Sequence, residues 1–139
     1  MIGLLVVSHG RLAQALLETA VEIVGPFESA EELAIDRSER LEEVHRRMHE
    51  AVERVDRGAG VLILADMFGG TATNVALQLV GQTSIEVVTG CNLPMLLKLS
   101  SAIKTTDDVG TLAQLLKFYG QRNLLVASEI LKEREQDAR

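Results

Sequence analysis

The chain has 139 residues, 47% of them apolar, with three Phe, one Tyr and no Trp, so one domain with an aliphatic core is expected. A net charge of -6 argues against nucleic acid or an anionic membrane surface as a partner. No apolar stretch reaches membrane-spanning length, no signal peptide is legible at the N-terminus, and the single Cys91 cannot form an internal disulfide, all of which fit a cytoplasmic protein.

Residues 2–7 form a continuous Leu/Val-rich run, the pattern of a strand buried on both faces. Residues 11–24 repeat apolar side chains at spacings of three and four, and Gly25-Pro26 ends that helix. A short strand is expected over 32–35, at a sheet edge because Glu31 and Glu32 are charged. Asp36 with Glu39 offers a capping box for the next helix. One face of that helix carries Leu41, Val44, Met48, Ala51, Val52 and Val55, and the rest is charged.

A turn over 56–60 leads into a second buried strand, 60–65. A short helix is expected over 73–80, a strand over 85–89, and a helix over 93–101 with Pro94 in its first turn. Asp107 or Asp108 can cap a last helix ending near Tyr119-Gly120. Residues 122–131 are ambiguous: Leu124, Leu125 and Val126 are strand-like, whereas 129–135 reads as helical. Residues 132–139 read as a frayed charged tail. No repeat or linker divides the chain, so 1–139 is one domain.

Alternating strands and helices predict an α/β fold: a doubly wound, mainly parallel sheet of about four strands with helices on both faces. Right-handed connections make the strands point one way. Ser8-His9-Gly10, the segment Asp66-Met67-Phe68-Gly69-Gly70-Thr71 and Gly90-Cys91-Asn92 therefore meet at the C-terminal edge, where open α/β sheets bind ligands.

His9 is the natural reactive group there, since neutral imidazole is nucleophilic near pH 7. Asp66, at the end of a neighbouring strand, can orient its ring. Gly69 and Gly70 let main-chain amides approach an anion at a helix N-terminus, and Thr71 adds a hydroxyl. Singly, each has a plainer reading: a strand-end histidine, a turn aspartate, a tight glycine turn. Three together at one edge argue for a site. His45 and His49 stand four apart, a spacing that can hold a metal, but no third ligand is evident and a solvated helix face is the simpler reading. Cys91 reads as a small apolar residue.

The three motifs, with Leu93, Pro94, Met95 and Leu96 completing the third, resemble the enzyme IIA component of the mannose family of the bacterial phosphotransferase system, over essentially the whole chain and in the same order. The resemblance implies a phosphotransferase-system phosphocarrier that works in sugar uptake. It implies His9 as the phosphorylated residue, Asp66 as its hydrogen-bonding acid, and Gly69, Gly70 and Thr71 as the phosphoryl-binding loop. Ser8, Gly10, Asn92 and Pro94 border the site. It implies HPr as donor, a histidine of an enzyme IIB as acceptor, and no metal or other cofactor. It also implies a homodimer that exchanges a C-terminal strand, which would account for residues 122–131.

One position departs from the family: proline commonly follows the Ser or Thr of the glycine loop, and Ala72 stands here. Alanine suits an early helix position, so the anion site is expected to survive with a less rigid loop. No IIB domain follows within the 139 residues. The alternative role is a solitary regulatory phosphoacceptor whose His9 state controls a partner. A histidine phosphatase is disfavoured because Val7-Ser8, not an arginine, precede His9. A tetrapyrrole chelatase is disfavoured because no second histidine falls at the edge.

Overall fold

The computed structural model describes residues 1–80 and 84–138. Four parallel strands, β1 (Gly3–His9), β2 (Ala30–Ile35), β3 (Val61–Ala65) and β4 (Ile85–Val88), lie in the order β2-β1-β3-β4. The α/β architecture is the expected one. Among the described residues the helices are α1 (Leu12–Val24), α2 (Leu41–Val55), α3 (Thr71–Leu79), α4 (Leu93–Ala102), α5 (Val109–Arg122) and α6 (Ala127–Asp137). The chain leaves β1 for β2 on one side, then crosses back over β1 to β3 on the other. That reversal of strand order lies between β1 and β3, and it opens a crevice at their C-terminal ends.

Every residue of β3, and of β1 as far as Ser8, is buried, because helices cover both faces of these two central strands. Successive side chains go to opposite faces. Leu4, Val6, Leu62 and Leu64 pack against Ala13 and Leu17 of α1, Leu96 and Leu99 of α4, and Leu112 and Leu116 of α5. Leu5, Val7, Val61 and Ile63 pack against Val44, Met48 and Val52 of α2 and Val75 and Leu79 of α3. Burying each such side chain stabilises the fold by roughly 1.5–3 kcal/mol. In β2, Leu33 and Ile35 alternate with exposed Glu32 and Ala34, as expected of an edge strand.

The structure corrects several element ends. No capping box forms at Asp36. Its carboxylate instead accepts the Ser38 N–H at 3.1 Å in a local turn, Glu39 pairs with Arg47, and α2 starts at Leu41 with Glu42 and Glu43 in its first turn. Helix α3 begins two residues earlier than the pattern suggests, with Gly70 at its N-cap. Asp108 caps α5 by accepting the Thr111 N–H at 3.2 Å. This helix runs past Tyr119-Gly120 to Arg122, with Gly120 buried against Met95 of α4.

Residues 124–126 form no strand within this chain. They lie exposed between α5 and α6, and α6 buries no residue. The tail over 132–139 is helical as far as Asp137, and Arg139 lies outside the described residues. Among the described residues no helix is long and apolar enough to cross a membrane.

Gly3 is where β1 passes the end of α2: a Cβ there would fall 2.1 Å from the Val55 carbonyl oxygen. That oxygen and its carbonyl carbon, at 2.7 Å, are main-chain atoms, so the clash cannot be relieved by a rotamer change. Gly3→Ala is expected to lower stability by about 1–3 kcal/mol, measured as a shift in the urea midpoint at unchanged slope.

Candidate functional site

His9 ends β1, and Asp66 follows β3 directly. The Asp66 N–H donates to the Val7 carbonyl at 3.1 Å, extending the β1–β3 ladder by one residue. This main-chain bond places the Asp66 carboxylate under the histidine. Its Oδ2 accepts the His9 main-chain N–H at 3.0 Å and lies 2.9 Å from ring Nδ1. A carboxylate only accepts, so Nδ1 carries the proton and Nε2 keeps the lone pair. The Asp66 side chain is 11% exposed and that of His9 40%, leaving the ring reachable and its partner shielded. Burial pushes the Asp66 carboxyl up in pKa. Hydrogen bonds from the His9 main chain and ring, the attraction of the ring in its protonated form and the Met67 N–H outweigh that and hold it below the ordinary 3.8.

Nε2 faces the glycine loop. A Cβ built on Gly70 would lie 3.8 Å from Nε2 and Cε1, an ordinary contact distance, so the loop lies directly against this edge of the ring. Gly70 has φ +85°, a left-handed conformation that favours glycine, and from it α3 departs with Thr71 exposed at its first position. The N-terminus of α3, where first-turn N–H groups have no intrahelical carbonyl, therefore opens beside this edge of the ring. Ala72 is buried in that turn, and α3 forms without the family's proline. Gly69, at φ +86°, also occupies the left-handed region.

Ser8 is buried and faces inward. Its hydroxyl donates to the His9 carbonyl at 3.1 Å and accepts the Ala13 N–H at 2.6 Å, so it ties the histidine to the start of α1. Gly10 follows at φ +56°. Asn92 lies on the same sheet edge, but its side chain is engaged with helices: Oδ1 caps α4 through the Met95 N–H at 3.0 Å, and Nδ2 donates to the Gly120 carbonyl at 3.3 Å. Pro94 stands in the first turn of α4. Cys91 donates its N–H to the Ala65 carbonyl at 3.0 Å. Burial, with the charge of Asp66, pushes its thiol up to about 12, so it is no thiolate nucleophile at neutral pH. His45 and His49 line the outer face of α2 with Glu42, Arg46, Glu50 and Glu53.

Three features escape a reading of the sequence. A cavity of about 630 Å³ opens beside His9, lined in part by Arg11, Arg37 and Arg47. Arg47 is held by Glu39; among the described residues Arg11 and Arg37 form no ion pair, and they share the cavity with Asp36. Met67 and Phe68 are 53% and 72% exposed next to the loop, an apolar rim rather than core. Thr73 is buried and its hydroxyl donates to the Met67 carbonyl at 2.6 Å. Two large apolar residues between an aspartate and two glycines were a legible sign of the rim; nothing local marks Thr73 or the arginines.

A family model described as EIIA-man, PTS system fructose IIA component, matches residues 3–116. The fructose-specific EIIA component of Bacillus subtilis is 29% identical over 134 residues, covering 96% of this chain and 91% of that protein. The mannose-specific EIIAB component of Escherichia coli K12 is 31% identical over 98 residues, 70% of this chain but only 30% of that longer protein. Among solved structures, a mannose/sorbose-specific IIA subunit from Enterococcus faecalis superposes with TM-score 0.80 at 28% identity, covering 90% of this chain and 93% of that one. The IIA protein associated with the fucose utilization operon of Streptococcus pneumoniae gives 0.78 at 28% identity, with 93% and 95% covered.

The depressed Asp66 carboxyl contributes stability that is fully present above the ordinary carboxylate pKa and is lost as pH falls through the lower folded value. Urea midpoints measured from neutral pH down through the acid range below about pH 5 are expected to fall less steeply in Asp66→Asn than in the parent chain. Parallel curves would remove Asp66 from the acid limb.

Proposed function

The chain belongs to the mannose-type enzyme IIA family of the bacterial phosphotransferase system, and from that premise we propose that it carries a phosphoryl group on Nε2 of His9. The donor is the phosphohistidine of HPr, the acceptor a histidine of an enzyme IIB, and the relay works in the cytoplasm in sugar uptake. The observation that carries this reading is the engagement of Nδ1 by Asp66, which leaves Nε2 as the free nitrogen beside the α3 N-terminus.

The Nε2 lone pair attacks the phosphorus in line with the donor nitrogen. The new N–P bond forms as the donor's N–P bond breaks, and the donor imidazole leaves with the electron pair. The Nδ1 proton stays in place, hydrogen-bonded to Asp66, whose carboxylate offsets the positive charge gained by the ring. Main-chain amides at Gly70 and Thr71 face the phosphoryl oxygens, where charge accumulates in a loose transition state. Onward transfer reverses these steps, with the IIB histidine as nucleophile. Arg11 and Arg37 add positive potential on the open side of the ring.

The working unit is a homodimer in which residues 124–126 of one copy add as a strand to β4 of the other. Strand β4 ends the sheet, and a groove of about 400 Å³ beside it is lined by Glu86, Val88, Lys117 and Leu124. Leu124, Leu125 and Val126 are exposed apolar residues of the kind that strand addition buries. Leu125→Asp is expected to turn a dimer into a monomer by light scattering; a mass that does not change removes this segment from the interface.

Incubation with phosphoenolpyruvate, enzyme I and HPr is expected to leave one acid-labile phosphate on His9 by mass spectrometry. His9→Ala should abolish labelling, and retained labelling would refute the assignment. Asp66→Asn should keep the fold and slow transfer by about 10²–10⁴-fold, the range lost when a ring's orienting acid is removed.

A further inference from the structure

The loop between Asp66 and α3 holds the acceptor geometry, yet its own residues do little to hold it. Met67 and Phe68 are exposed, and Gly69 and Gly70 have no side chains and φ values of +86° and +85°. Gly70 caps α3 without a side-chain hydrogen bond. Among the described residues, the side chain that reaches this loop from outside is Thr73, 1% exposed, whose hydroxyl donates to the Met67 carbonyl at 2.6 Å.

Met67 connects that bond to the chemistry. Its N–H donates to Asp66 Oδ1 at 2.9 Å, while Asp66 Oδ2 takes both hydrogen bonds from His9. The two carboxylate oxygens are thus held from opposite sides, one by the histidine and one by the N–H of Met67, the residue whose carbonyl, one peptide further on, Thr73 anchors. A carboxylate free to rotate about its Cα–Cβ bond would lose the double contact with His9, and with it the ring's tautomer and aim.

We propose that Thr73 is a positioning residue for the phosphoryl-accepting pair, its hydroxyl setting Asp66 through Met67 and thereby holding His9 as the Nδ1–H tautomer with Nε2 aimed at the α3 N-terminus. The proposal rests on His9 being the acceptor. Hydroxyl and methyl are separable: Thr73→Val keeps the shape and deletes the donor, and Thr73→Ser keeps the donor and deletes the methyl.

The experiment combines ¹⁵N–¹H correlation spectra of the His9 ring with phosphorylation rates from phospho-HPr. In the parent chain the ring signals are expected to be those of a single Nδ1–H tautomer. Thr73→Val is expected to give averaged tautomer signals and a kcat lower by about ten- to a hundredfold, the cost of a small misplacement at a reacting centre, with KM for phospho-HPr unchanged. Thr73→Ser should restore both. Equal behaviour of the Val and Ser variants, normal or impaired, would overturn the proposal.

If Thr73→Val does not fold, Thr73→Ala, which also deletes the donor, takes its place against Thr73→Ser, and equal ring signals and rates in those two variants would refute the link. Ring signals that change in Thr73→Val while the parent chain takes no phosphate would overturn the acceptor reading and leave the positioning role standing. Normal labelling with unmoved ring signals would do the reverse.

Discussion

One carboxylate oxygen accepts two hydrogen bonds from the same residue: Asp66 Oδ2 takes the main-chain N–H of His9 and its ring Nδ1. Bonds to an ionised acceptor are worth about 1.5–3 kcal/mol each, more than their neutral counterparts. Here they also fix direction. With the backbone and the ring of His9 both bound to one atom, the imidazole has little freedom left, and Nε2 points at the loop that opens α3. The tautomer, the free lone pair and the nearness of the helix amides follow from that one contact.

The contact exists because β1 and β3 are neighbours. Each is buried on both faces, between α1, α4 and α5 on one side and α2 and α3 on the other. Close packing on two faces keeps the strand ends from moving relative to one another. The ladder runs one residue past β3, through the Asp66 N–H and the Val7 carbonyl, before the chain turns away. The acid is therefore placed by sheet hydrogen bonding, while the groups beyond it sit on a loop with two left-handed glycines. A rigid sheet edge carrying a short, adaptable loop suits a protein that must meet one partner to take a group and another to give it away.

The surroundings divide into support and surface. Ser8 and Thr73 are buried hydroxyls spent on main-chain partners. Asn92, at the same edge, serves α4 and α5 rather than the ring. Met67, Phe68, Arg11 and Arg37 face outward around His9. An apolar rim beside a cavity lined by three arginines and two carboxylates differs from the acidic character of the chain as a whole, whose net charge is -6. Such a local departure belongs to a contact surface rather than to general solubility.

Features that repeat along the chain, or follow from its direction, were readable in the residues alone. Unbroken apolar runs marked the two central strands, spacings of three and four marked the helices, and parallel strands put His9, Asp66 and the two glycines at one edge. That β1 and β3 lie side by side was settled by packing, because strand order depends on which face each crossing helix covers, and that choice leaves no local pattern. The same holds for polar partners. Asp36 and Glu39 have the spacing of a capping box yet bind Ser38 and Arg47, and Thr73 looks like any helix residue until Met67 folds back to it. Residues 124–126 look like a strand and form none within one chain: Leu124 borders the groove beside β4, yet the segment makes no ladder with that edge. Periodicity is carried by neighbours in sequence, whereas a hydrogen bond is made with whatever the fold brings within 3 Å.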